Sequence, residues 1–146
     1  MKKTFLIAFV AALSFSCQSK VEATDIPKIN GYWEIEKVIF PDGNQKEYGI
    51  NEVYDYFEVK NNNGIRKKVM PQLNGTFLVN NSFETIAIKN EGGKYNIYYS
   101  TTLTKWHEQI GSLTDQELVL LNAQKKEYHY KRATPINLID NGKKTQ

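Results

Sequence analysis

The chain has 146 residues, 40% of them hydrophobic and 12% aromatic, with 19 basic against 16 acidic side chains and one cysteine. That is material for one core and too little length for two comfortable domains. The near-balanced charge sets up no global field of the kind that draws nucleic acid or steers an acidic substrate, and a lone cysteine excludes an internal disulfide framework.

The first 17 residues run basic, apolar, small. Lys2 and Lys3 precede the apolar stretch 5–13, and Ser14 and Ser16 lead into Cys17. This is the order of an export signal. A membrane span needs about 20 apolar residues, whereas this run stops near Phe15 and is followed by the polar Gln18-Ser19-Lys20. The ending Leu13-Ser14-Phe15-Ser16-Cys17 resembles the lipobox of bacterial lipoproteins. That resemblance implies that residues 1–16 are a signal peptide and that Cys17 carries acyl chains binding the protein to a membrane. An ordinary cleaved signal is the alternative, since Ser14-Phe15-Ser16 also fits the small-x-small rule. Residues 17–29 then read as the lipidated cysteine and a flexible tether, polar and aperiodic with Pro27 against any helix. Gln18 stands where enterobacterial lipoproteins retained at the inner membrane carry aspartate, which favours the outer membrane. Glu22 and Asp25 make a poor version of the acidic cluster that accompanies surface display in Bacteroidota lipoproteins, so the periplasmic face is favoured over the cell surface.

The folded domain is placed at residues 30–133, and its punctuation is that of short antiparallel strands. Residues 32–40 are rich in aromatic and β-branched side chains and are stopped by Pro41-Asp42-Gly43-Asn44. Residues 53–60 alternate, with Val53, Phe57 and Val59 on one face and Tyr54, Tyr56 and Glu58 on the other. Asn61-Asn62-Asn63-Gly64 turns the chain into residues 65–70, and Asn74-Gly75 is a hairpin signal that pairs this strand with residues 76–80. Residues 83–89 and 94–101 flank Asn90-Glu91-Gly92-Gly93, and Tyr95, Ile97 and Tyr99 share a face. Residues 102–110, 117–122 and 127–132 complete the series. Roughly eight or nine strands spaced about 8 to 12 residues apart describe an all-β sandwich or barrel.

Gly31-Tyr32-Trp33 resembles the Gly-x-Trp that opens the first strand of lipocalins. The stretch from Trp106 through Ile110, Leu113-Thr114 and Leu118-Val119-Leu120 to Tyr128-His129-Tyr130-Lys131-Arg132 is similar to the closing hairpin of small lipocalin-like lipoproteins of the Bacteroidota. The resemblance implies an all-β, roughly eight-stranded antiparallel up-and-down barrel following the signal peptide. It also implies that Trp33 packs at the closed end with a basic residue of the last strand over its ring, which makes Trp33 and Arg132 a structural pair. Such a barrel holds one small ligand or fills with side chains. The candidate inward positions are heavy (Trp33, Ile35, Phe57, Val59, Phe77, Tyr95, Ile97, Tyr99, Trp106), which favours a packed interior. Of these, Trp33, Phe57, Tyr95, Tyr99 and Trp106 are the candidate ligand contacts. Tyr54, Tyr56 and Tyr98 alternate outward, as an exposed aromatic strip or as ordinary cross-strand neighbours.

Catalytic material is thin, so no enzyme activity, cofactor or metal is expected. Acylation uses the one thiol, no serine sits in a nucleophile elbow, and no glycine-rich loop opens a helix. His107-Glu108 and Glu127-x-His129 could converge on zinc only if their strands were neighbours. Arg66-Lys67-Lys68 alternates across both faces and reads as edge-strand protection. The polar tail, residues 134–146, carries the short apolar run Ile136-x-Leu138-Ile139. Two functions follow: a membrane-anchored lipocalin-like protein binding a small apolar or amphipathic ligand, or a packed accessory subunit of an outer-membrane protein assembly. A cavity of ligand size separates them.

Overall fold

The computed structural model describes residues 20–133. The signal peptide, Cys17 and the tail at 134–146 lie outside the described residues. Ten strands form one antiparallel sheet: β1 (Gly31–Ile39), β2 (Gln45–Glu47), β3 (Tyr54–Lys60), β4 (Asn63–Pro71), β5 (Phe77–Val79), β6 (Glu84–Glu91), β7 (Lys94–Ser100), β8 (Lys105–Leu113), β9 (Glu117–Asn122) and β10 (Glu127–Arg132). Eight of them run in the order β10-β9-β8-β7-β6-β4-β3-β1, and β10 pairs with β1 to close the barrel; β2 and β5 are short additions on β1 and β4. The up-and-down order follows from turn chemistry. Asn61 and Asn62 both take positive φ between β3 and β4, as Gly92 and Gly93 do between β6 and β7. Two such residues give the tight turn whose twist matches the flanking strands. Register shifts between Ile35 and Lys37 on β1 and between Ile110 and Ser112 on β8 supply the bends that closure requires.

Alternation divides each strand into an inner and an outer face. Trp33, Phe57, Ile86, Ile88, Tyr95, Ile97, Tyr99, Ile110, Leu118 and Leu120 form the buried interior, with Ile35, Val59, Trp106 and Tyr128 packed on it. Phe77 is not among them. The β4–β5 hairpin folds over the outside, where Phe77 stacks on Tyr32 with ring centroids 3.9 Å apart and joins Tyr54, Tyr56 and Val69 in a second, smaller cluster. Tyr54 is therefore buried beneath the hairpin, and Tyr98, on β7, belongs to a different face; no continuous aromatic strip exists. Val53 precedes β3 and is exposed. The edge-strand reading of Arg66-Lys67-Lys68 is also corrected: β4 is flanked by β3 on one side and by β6 and β5 on the other, and Arg66 is buried.

The expected tether is shorter than its polarity suggested. Ala23–Ile29 forms a 3₁₀ helix whose Ile26 and Ile29 are buried, and Val21 before it is buried too. A barrel of this size needs a stopper at one end, and these three apolar side chains provide it by entering the main core. Glu22 and Asp25 form the reciprocal cap that starts the helix, and Asp25 pairs with Lys28 at 2.8 Å. Pro27, read as a helix breaker, sits inside this short segment. After it Asn30 uses its side-chain amide as a stretch of strand, donating to Val59 O and accepting from Val59 N.

The two chain ends meet at this closed end. The Arg132 guanidinium lies 3.9 Å over the Trp33 ring and donates to the backbone carbonyls of Lys28, Asn30 and Asp115. Trp33 Nε1 in turn donates to Ile29 O at 2.7 Å. Gly31 makes this approach feasible: its φ is +114°, and a Cβ there would stand 2.9 Å from Arg132 Nη1. Arg132→Ala should therefore lower unfolding free energy by about 2 kcal/mol, from a cation–π contact and hydrogen bonds to carbonyls left without a donor. Gly31→Ala should cost about 1 to 2 kcal/mol, and the two substitutions combined should cost less than their sum, because the crowding of Arg132 disappears. Urea denaturation of the four proteins measures the coupling; strict additivity would dissociate Gly31 from Arg132.

Candidate ligand site

Opposite the stopper, the barrel opens. The segments linking β1 to β3, β4 to β6, β7 to β8 and β9 to β10 all lie at this end. Every one of the eight large apolar side chains left exposed among the described residues is here: Ile50, Val53, Met70, Leu73, Leu78, Val79, Phe83 and Leu103. Inside the rim lies a cavity of about 510 Å³. Trp33, Tyr48, Tyr128 and Tyr130 give it aromatic walls, Ile35, Val38 and Val53 an aliphatic side, and Asp55 with Lys68 a charged corner. A second hollow of about 360 Å³ shares Val53 and Lys68 and extends past Met70 and Leu78.

Beside the cavity the interior carries charge. Arg66 Nε meets Glu84 Oε2 at 3.0 Å, Nη1 lies 4.0 Å from Glu108 Oε2, and Cζ is 4.3 Å from the Tyr99 ring centroid. Burial opposes the Arg66 charge, but Tyr99, Glu84 and Asp55 outweigh it and hold its pKa above the usual value. Burial raises the Glu108 pKa against the opposing pull of Tyr99 and Arg66. It also drives the Tyr99 and Tyr130 hydroxyls well up, with Glu108 adding to the first and Asp55 to the second. Both phenols are neutral donors at physiological pH. Asp55 is 4% exposed, and its Oδ1 forms an ion pair with Lys68 Nζ but no aligned hydrogen bond; Tyr99 Oη and Glu108 Oε2 also lack one.

The ligand contacts read from the sequence divide. Trp33 floors the mouth cavity. Phe57 and Tyr95 pack in the main core and line neither hollow at the mouth. Tyr99 and Trp106 stack on each other at 5.1 Å and border a groove of about 450 Å³ along β6, β7 and β8, where Tyr98 stacks on His107 at 5.3 Å. The strands of His107 and His129 are separated by β9, so the two imidazoles do not converge. His129 instead lies 3.0 Å from Glu127.

Asp55, Arg66, Lys68, Glu108 and Tyr130 were missed as site residues. Their signal was parity. Asp55 alternates with Phe57 and Val59, and Glu108 with Trp106 and Ile110, so any phase that buries the aromatic residues buries the carboxylates.

Comparison with known proteins agrees with this architecture. Residues 29–120 match the family model described as a lipocalin-like domain. No curated protein matches the sequence. Among solved structures, a lipocalin-like protein from Bacteroides uniformis ATCC 8492 is similar at 12% identity and a TM-score of 0.48, covering 73% of this chain and 99% of that one. An uncharacterized protein from Bacteroides eggerthii DSM 20697 is similar at 12% identity and a TM-score of 0.47, covering 71% and 98%. With the family model spanning most of a closed eight-stranded antiparallel barrel, the chain belongs to the lipocalin-like domain family.

Proposed function

We propose that this chain is a lipid-anchored envelope protein that binds a small amphipathic molecule in the mouth of its barrel. The observation that carries the reading is the cavity of about 510 Å³ bounded by aromatic, aliphatic and charged side chains. Ligand sites are about 300–1,000 Å³, mostly apolar, with a few placed polar groups. A packed accessory subunit has no need of such a hollow.

The anchor fits the same geometry. Lys20 lies beside Gly93 in the turn between β6 and β7, at the closed end, and Val21 is already buried. Three residue steps separate Lys20 from Cys17, about 10 Å of extended chain. An acylated Cys17 would stand the barrel on its stopper, close against the outer membrane, with the mouth turned away from the anchoring leaflet. Ligand would then enter from the aqueous side.

Native mass spectrometry of the protein extracted from its own membrane tests the binding reading. A co-purifying small molecule is expected, and Ile35→Trp, which fills the mouth, should abolish it at a cost of no more than about 1 to 3 kcal/mol in stability. An empty barrel recovered with a stoichiometric protein partner would favour the accessory role. For the anchor, Cys17→Ser should remove labelling by an alkyne fatty acid and leave the chain either unprocessed or soluble, since durable attachment needs two or more acyl chains. Wild-type protein that fails to label would make Cys17 a bystander at a conventional cleavage site.

A further inference from the structure

On the reading that the mouth binds a small amphipathic molecule, we infer that its ligand is a cation: an alkylammonium or related amine whose charged head takes the place of Lys68 Nζ against Asp55. The charged side chains that line the mouth cavity are Asp55 and Lys68, while Arg66, bonded to Glu84 and near Glu108, lies beside it. Asp55 is buried and its lysine partner is half-exposed, so the acid's counter-charge sits partly in water. A buried carboxylate without a full counter-charge is costly, and an arriving cation relieves that cost.

The identity of the displaced group follows from exposure. Arg66 is fixed: its side chain is 10% exposed, bonded to Glu84, near Glu108 and stacked on Tyr99. Lys68 is not. Its side chain is 54% exposed while that of Asp55 is 5% exposed, so a buried acid holds a lysine that reaches in from the rim. Lys68 can carry its own charge out to water, and the buried Asp55 carboxylate it leaves is then neutralised by the incoming cation. Lys68 meets Asp55 Oδ1 as an ion pair rather than as an aligned hydrogen bond, so its hold on the acid is electrostatic and open to exchange for another cation. Both residues line the mouth cavity, together with Trp33, Tyr48, Tyr128 and Tyr130. Aromatic faces attract an organic cation, most strongly where it is desolvated. An anionic amphiphile would meet Asp55 at the charged corner with only Lys68 to receive it. The aliphatic part of the ligand is accommodated by Ile35, Val38 and Val53.

The test uses the acylated protein in nanodiscs, with empty nanodiscs subtracted, titrated calorimetrically with hexylammonium, hexanol and hexanoate at neutral pH. Hexylammonium should bind at least tenfold more tightly than the other two. Asp55→Asn should weaken hexylammonium at least tenfold relative to hexanol. Lys68→Met, which removes the competing ammonium, should tighten hexylammonium several-fold; a residue with only a structural role would not give a gain. Equal or tighter binding of hexanoate or hexanol, or weaker hexylammonium binding by Lys68→Met, overturns the cation assignment and leaves the binding reading standing. If none of the three probes binds the wild type above the Ile35→Trp background, both the cation assignment and the mouth as a ligand site fall.

Discussion

The fold depends on the closure of β1 against β10, and Arg132 and Trp33 are where that closure is made irreversible to small fluctuations. They are directly paired residues in the antiparallel register, they stack, and Arg132 reaches three carbonyls that belong to the 3₁₀ segment, the residue just before β1 and the turn after β8. An antiparallel sheet leaves two raw edges, and joining them removes both at once. The pairing of first and last strands is also the strand contact of greatest sequence separation in the barrel, so its loop-closure cost is the largest of any strand pair. A rigid guanidinium fork that ties several segments together is well suited to holding such a joint.

Closure at one end sets the character of the other. With Val21, Ile26 and Ile29 stoppering the base and Ile86, Ile97, Leu118 and Leu120 filling it, the lower barrel carries the hydrophobic stabilisation that a domain without disulfides requires. The upper barrel is thereby released from packing. It holds ionised groups, phenols and a hollow, and its rim leaves large apolar side chains in water. One strand serves both halves: on β3, Phe57 belongs to the apolar floor and Asp55, two residues earlier, to the charged chamber.

Much of this was legible in the sequence, for reasons that can be stated residue by residue. Strand order followed from Asn61-Asn62, Asn74-Gly75 and Gly92-Gly93, because positive φ is a local property that a sequence declares. The Trp33 and Arg132 pair came from resemblance rather than from physics. The 3₁₀ stopper was hidden because only its Ile26 and Ile29, with Val21 before it, enter the core, too few for periodicity to register above Glu22, Asp25 and Lys28. Phe77 was misplaced because alternation specifies which side of a strand a residue occupies but not that a hairpin folds outward over Tyr32. The charged interior was hidden by the expectation that charge lies outside: Arg66-Lys67-Lys68 was read as a solvated edge, although the parity of Asp55 and Glu108 already contradicted it.

That interior contributes little to stability, which supports the proposed binding role. A buried ion network is often no more stable than apolar residues of equal volume, and here the network is imperfect. Glu108 has its pKa raised because burial outweighs Tyr99 and Arg66. By linkage, an acid whose folded-state pKa lies above its unfolded value contributes stability below the unfolded value and loses it as pH rises through the folded one. Ionising Glu108 therefore costs the fold stability, and the ion pair of Asp55 is made to a half-exposed lysine. An apolar chamber would avoid the burden and would also be unable to distinguish one amphiphile from another, since a hydrophobic pocket separates ligands by only about 1–3 kcal/mol per methylene. On the proposed binding reading, the buried charge that weakens the barrel would give its mouth a preference.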